Sequence, residues 1–179
     1  MAWYSLFVMT GYEHEVLDII SRTWHVDGLR PFVPMYDTRF RKLGKVLSEK
    51  RRWIPGYVFL ESEDNGLDFY LKVKPLISRT EKALKLLRYG VSGHFDLSFE
   101  MQENERVFLQ KLLNDEQCVD MSQGYIKGTS IIITDGPMVG LEGLIKKVNR
   151  HKMEATIEAS LFGDLRDVKV GLEIVAKLN

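Results

Sequence analysis

The side chains with the most chemical promise in this chain are basic, and they fall in two clusters. The segment RFRKLGKVLSEKRR sets Arg39, Arg41, Lys42, Lys45, Lys50, Arg51 and Arg52 against one acid, Glu49, for a local charge of +6. A second cluster places Lys146, Lys147, Arg150, His151 and Lys152 within seven consecutive positions that hold no acid. Cations at that density repel one another, so they stand either in solvent or against a polyanion, and phosphate is the commonest such partner. On charge alone, a solvated loop and a phosphate-binding strip are both open for each cluster.

The other reactive residue types lack the spacing that catalysis needs. Gly136, Gly140 and Gly143 lead into the second cluster, but no Lys-Ser or Lys-Thr pair follows them, as a P-loop requires. A dinucleotide fingerprint needs glycine where Met138 stands, and no helical pattern follows to offer an N-terminus to phosphate. These glycines are read as turn residues that let strands reverse. His14, His25, His94 and His151 are scattered, with no pair one helical turn apart. Cys118 is the only cysteine, which rules out an internal disulfide and a cysteine-based zinc site, and it is read as a structural residue. There is no G-x-S-x-G elbow, and nothing marks Glu61, Glu63 and Asp64 as an acid/base pair. The expectation is a protein that is not an enzyme, with no catalytic residue, no metal and no cofactor.

Formal net charge is zero over 179 residues, so a nucleic-acid partner has to be read from local patches and not from the whole molecule. Apolar residues at 45% and charged ones at 28% are globular proportions. The N-terminal MAWYSLFVMTG lacks a basic n-region and a small-residue cleavage pattern, and no run approaches about 18 apolar residues. With the single cysteine, this reads as a soluble, unexported, cytoplasmic protein that has no membrane partner.

The elements that must position the basic clusters follow from periodicity. Trp3 to Met9 and Trp53 to Glu61 are strand-like and apolar on both alternating faces. Val16, Leu17, Ile20 and Trp24 recur at helical spacing; a second helix is expected after an N-cap at Asp64 or Asn65, and a third within EMQENERVFLQKLL. Gly44 and the absence of clean periodicity make residues 39 to 52 a flexible hairpin. After about Asn114 only short runs separated by turns remain. In the last two, Met153, Ala155, Ile157 and Ala159 alternate with Glu154, Thr156 and Glu158, and Val168, Val170, Leu172 and Ile174 with Lys169 and Glu173. The expected fold class is therefore α+β: a first domain over 1–113, a linker at 114–119, and a small β-barrel over 120–179.

The two halves together resemble a known family. WYSLFVMTGYE, the basic hairpin and PGYVFLE resemble the N-terminal domain of the NusG family of transcription elongation factors. GTSIIITDGPMVGLEGLIKKVNRHKMEATIEASLFG resembles its SH3-like KOW domain, with Gly136-Pro137, Gly140, Gly143 and Phe162-Gly163 in place. The resemblance implies an N-terminal domain with a sheet flanked by helices, whose exposed apolar face docks on the clamp helices of RNA polymerase through Tyr4, Phe7, Ile54, Tyr57 and Phe59. Asp68 and Phe69 map loosely onto a contact with the opposite side of the cleft. It also implies that the basic hairpin lies near upstream or non-template DNA.

Housekeeping members follow Phe-Gly with a different continuation from Asp164-Leu165-Arg166-Asp167-Val168, so the resemblance leaves contacts with Rho or the ribosome open. The run KKVNRHKMEATIEASLFG is most similar to specialised LoaP-type antiterminators, which implies recruitment by a nascent RNA hairpin read by the KOW domain. Residues 124–179 hold eight Lys/Arg and seven Asp/Glu, so the RNA contact is expected at Lys146, Lys147, Arg150, His151 and Lys152 and not over the whole domain. The expected partners are thus RNA polymerase and an RNA hairpin, bound by a monomer. A housekeeping elongation factor and a ribosome-associated KOW protein are the alternatives.

Overall fold

The computed structural model describes residues 1–90 and 97–178, so His94 lies outside the described residues. In chain order the elements begin with β1 (Ala2–Val8), α1 (Glu13–Thr23), β2 (Arg30–Phe32), β3 (Met35–Lys42), β4 (Lys45–Arg52), β5 (Tyr57–Ser62), α2 (Gly66–Arg79) and β6 (Ala83–Leu86). The two-residue strands β7 (Tyr89–Gly90) and β8 (Leu97–Ser98) precede α3 (Glu103–Leu112) and β9 (Cys118–Val119). The rest is β10 (Ser122–Lys127), β11 (Ser130–Asp135), a 3₁₀ turn (Glu142–Leu144), β12 (Ile145–Asn149), β13 (Glu154–Leu161) and β14 (Asp164–Leu178). The fold is α+β, and among the described residues all three α-helices lie before residue 113.

Two compact units form, one from residues 1–33 and 54–107, the other from 34–53 and 108–179. The chain therefore passes between units more than once, where a single boundary at 114–119 was expected. The cause is a strand pairing: β3 runs parallel to β9, with Met35 opposite Cys118 and Tyr36 opposite Val119. Residues expected to be linker thus include a strand whose two side chains are buried.

The first unit is built on an antiparallel sheet in the order β2-β5-β1-β6. Pairing Tyr4 with Leu60 and Leu6 with Val58 puts these four on one face, where Phe69 of α2 stacks on Tyr4 at 3.9 Å. Asn65 caps α2: its Oδ1 accepts from the Asp68 backbone N–H at 3.1 Å, while its Nδ2 donates to the Asp68 carboxylate at 2.7 Å. The buried Glu13 carboxylate accepts from the Gly11 and Gly56 N–H groups, at 3.0 and 2.6 Å, tying the start of α1 to the turn before β5.

The second unit centres on β14, which is long enough to serve two partners. Asp164–Gly171 pairs antiparallel with β13, and Leu172–Leu178 pairs parallel with β10, giving the order β11-β10-β14-β13-β12. β11 and β12 share no ladder, so the sheet is open between them, and the Ile133 N–H donates across to Glu142 of the 3₁₀ turn at 3.3 Å. The expected alternation holds for Met153, Ala155, Ile157 and Ala159 and for Val168, Val170 and Leu172, all buried. It fails at Glu154, which is expected to face solvent and is buried as well.

Candidate nucleic-acid interface

Both basic clusters belong to the second unit. β3 and β4 pair from Met35↔Arg52 to Lys42↔Lys45, and Leu43-Gly44 turn the chain with φ of 50° and 76°. Two positive φ values in a two-residue loop match the right-handed twist of a hairpin, and glycine at the second position makes that conformation cheap. Every residue of β4 is exposed, so this hairpin is a two-stranded ribbon that presents its charges to solvent.

The structure sorts the hairpin cations by what they already touch. Arg39 pairs with Glu173 at 3.3 Å, Lys50 with Glu116 at 2.8 Å, and Arg51 with Glu49 at 2.8 Å and Glu154 at 3.4 Å. The Glu116 contact holds the Lys50 ammonium above the ordinary lysine range. Arg52 is exposed beside them. Among the described residues Arg41, Lys42 and Lys45, at the outer end, have no ion-pair partner, so the charge left for an external anion lies at the tip.

The second cluster divides in the same way. Lys146 is held by Asp167 at 2.8 Å and Glu158 at 3.1 Å, whose carboxylates keep its ammonium above the usual range. Asn149 lies opposite Glu154, leaving residues 150–153 as the β12–β13 turn, and the Asn149 side chain accepts from the Lys152 N–H at 3.0 Å. Lys147, Arg150, His151 and Lys152 are exposed and without an ion-pair partner among the described residues. Arg150 and His151 line a cleft of about 310 Å³ with Arg41, Met153, Glu173 and Ile174. Three of the basic residues expected at separate DNA and RNA sites therefore face one concavity.

Glu154 is the residue that strand alternation misses. Its carboxylate accepts from the Tyr36 hydroxyl at 3.1 Å and lies between Arg51 at 3.4 Å and Lys169 at 3.6 Å. It stands opposite Gly171, where a Cβ would overlap the Asp37 carbonyl oxygen of β3. An isolated glycine inside an alternating strand is the one sequence signal that another backbone approaches there. Burial, reinforced by Glu154, pushes the Tyr36 hydroxyl up to about 12, and burial with the Asp37 charge takes the Cys118 thiol to about 12. A raised folded-state value means the unfolded chain gives up the proton first, so this stability is whole below the unfolded value and lost above it. Urea unfolding is expected to show stability falling between pH of about 10, the unfolded tyrosine value, and about 12, with a shallower fall in Tyr36→Phe. An equal fall in both would remove Tyr36 from that role.

The residues expected to bind polymerase do not form one exposed face, and this corrects the sequence reading. Tyr4 and Phe69 are packed together on the helix side of the sheet, while Phe7, Tyr57 and Phe59 point to the other side. There Phe32 lies 5.0 Å from Trp3 and 5.5 Å from Phe59, and the Tyr89 hydroxyl meets Ser5 Oγ at 2.9 Å. Tyr4, Ile54, Tyr57, Phe59 and Phe69 are all buried. The reason is that side chains are buried on both faces of β1 and β5, which periodicity alone could not distinguish from one covered and one open face. Phe7 is partly exposed, 5.4 Å from the Tyr57 ring, and Asp68 is exposed but engaged in capping α2.

Among the described residues no group of His, Cys, Asp and Glu is placed to hold a metal ion, and no helix is long and apolar enough to cross a membrane. Residues 1–106 match the family model described as NusG, transcription termination factor nusG. Over its whole length the chain is also similar to curated proteins called transcription termination/antitermination protein NusG. It is 22% identical to the one from Haemophilus influenzae, covering 99% of this chain and 94% of the relative. It is 20% identical to the one from Pasteurella multocida, covering 99% and 95%, and 20% to the one from Pseudomonas aeruginosa, covering 98% of both.

Proposed function

The chain belongs to the NusG family, and on that premise we propose that it is a transcription antitermination factor that acts on RNA polymerase and is directed to selected transcripts by nascent RNA. Residues 1–113 act as the polymerase-binding part, docking on the clamp helices, and residues 120–179 as the KOW domain that takes RNA. The observation that carries the RNA assignment is the β12–β13 hairpin: Lys147, Arg150, His151 and Lys152 are exposed there without an ion-pair partner among the described residues. Structured RNA is recognised through shape, phosphates and 2′-hydroxyls, which a compact basic tip can reach without reading base edges. The polymerase contact is narrowed to the part of the aromatic surface that is open, with Phe7 as its centre. Lys42 and Lys45, at the tip of the β3–β4 hairpin, suit the backbone of upstream or non-template DNA. Such a factor works in the cytoplasm as a monomer and needs neither cofactor nor metal.

Single-round transcription with purified polymerase over a terminator, on templates with and without the native leader, tests this reading. The expected result is readthrough that needs the leader and is lost when Lys147, Arg150 and Lys152 are replaced by glutamate. Readthrough of equal size on both templates would instead identify a general elongation factor. Failure of the chain to co-purify with polymerase would favour a ribosome-associated RNA-binding protein.

A further inference from the structure

Two clusters separated by about 110 residues of sequence meet in the second unit. Arg41 comes from the outer end of β3, and Arg150 and His151 from the β12–β13 turn. Met153 and Ile174 supply an apolar part of the cleft wall, and Glu173 is its one acid. That carboxylate is engaged elsewhere, by Arg39 Nη1 at 3.3 Å and Gln123 Nε2 at 3.4 Å. Two guanidinium groups and an imidazole thus converge on one concavity without a counter-ion of their own among the described residues. Like charges brought together raise the free energy of the empty protein, and an anion between them reverses the sign of the interaction. The planar donor fork of arginine matches the oxygens of a phosphate, and two arginines lining one cleft offer two such forks.

We infer that this cleft binds a backbone phosphate of the RNA, so that the β3–β4 hairpin and the β12–β13 turn grip the same RNA from two sides. The inference rests on the proposal that the turn binds RNA, and it adds a second arm and a shared phosphate to it. Lys147 and Lys152 flank the cleft along the chain on the turn side, and Arg41 is the cation that the hairpin adds to it. An RNA stem seated there meets cations on both of its strands, a shape-dependent contact that suits an A-form helix.

The test is fluorescence anisotropy of the full chain with a labelled RNA stem-loop, using the DNA stem-loop of the same sequence as comparator. Arg41→Glu and Arg150→Glu are each expected to weaken RNA binding by about tenfold and to lower the salt slope by about one. Because both residues hold one phosphate, the double variant falls well short of the product of the two effects. Lys85→Glu, an exposed charge change in the first unit, leaves affinity as it was. Unaltered thermal melts of the two arginine variants establish that folding is intact. Loss with Arg150→Glu but not with Arg41→Glu overturns the shared cleft and leaves the turn assignment standing. No loss with either variant overturns the RNA assignment itself. An effect on DNA binding as large as that on RNA, or fully multiplicative losses, also overturns the inference.

Discussion

Replacing Phe59 by alanine is expected to destabilise the first unit by about 3–5 kcal/mol, the usual cost of deleting a buried aromatic ring. Phe59 is fully buried in the middle of β5, with Ser5 opposite it, Phe32 at 5.5 Å and the Trp3 ring stacked at 6.3 Å. Backbone pairing on both sides fixes the positions of these rings, so the cavity cannot collapse by shifting one strand without breaking two ladders. The measurement is a urea titration, read by the summed fluorescence of Trp3, Trp24 and Trp53 and compared at constant slope. Phe7→Ala, at a partly exposed position, is expected to lose less stability and to be the variant in which polymerase binding falls while the fold survives. If Phe59→Ala keeps full stability and loses polymerase binding, Phe59 is a surface anchor and its place in the core is wrong. The order of the two variants therefore separates a docking residue from a packing residue, which a binding assay alone confuses.

Gly171→Ala is expected to cost the second unit about 3 kcal/mol, at the upper end for a single added methyl in a packed site. The added Cβ would overlap the Asp37 carbonyl oxygen and the Met121 sulfur. A methionine side chain can rotate away, but a carbonyl held in the β3 ladder cannot move alone. The strain is relieved by lifting β3 away from β14, which pulls Tyr36 from Glu154 and Arg39 from Glu173. Glu154 would then be a buried carboxylate short of its hydroxyl donor, a loss that adds to the steric cost. The same movement carries Arg41 away from Arg150, so RNA affinity should fall with stability in this variant, even though no charge changes. A glycine with free space around it, such as Gly143, should tolerate alanine with little effect on either measurement. Equal melting temperatures for Gly171→Ala and the parent chain would show that the close approach of β3 and β14 is not maintained in solution.

Part of this molecule could be read without coordinates, because local physics decides it. The period-2 and period-3.6 patterns place β1, α1, β5, α2, β13 and β14 where they form, and Asn65 caps α2 because its short side chain reaches the Asp68 N–H. The Leu43-Gly44 turn and the switch from mixed to all-β texture after Asn114 are local in the same sense. The composition of the two basic clusters, and with it the search for a phosphate partner, is also settled by residue type alone.

What only the tertiary structure decided is sidedness and company. Alternation says that Tyr4 and Phe59 lie on opposite faces, but not that both faces are covered, since a strand buried twice and a strand with one sticky face have the same pattern. Likewise Glu154 alternates as a surface residue and is buried because β3 crosses at Gly171, a contact made from more than a hundred residues away. Charge density marked seven hairpin residues and five turn residues as two sites, yet ion pairs remove Arg39, Lys50, Arg51 and Lys146 from that supply. Arg41 and Arg150 are left facing one cleft. Pairing of charges depends on distance in space, and spacing along the chain carries no record of it until the parallel pairing of β3 with β9 and the long reach of β14 bring the clusters together.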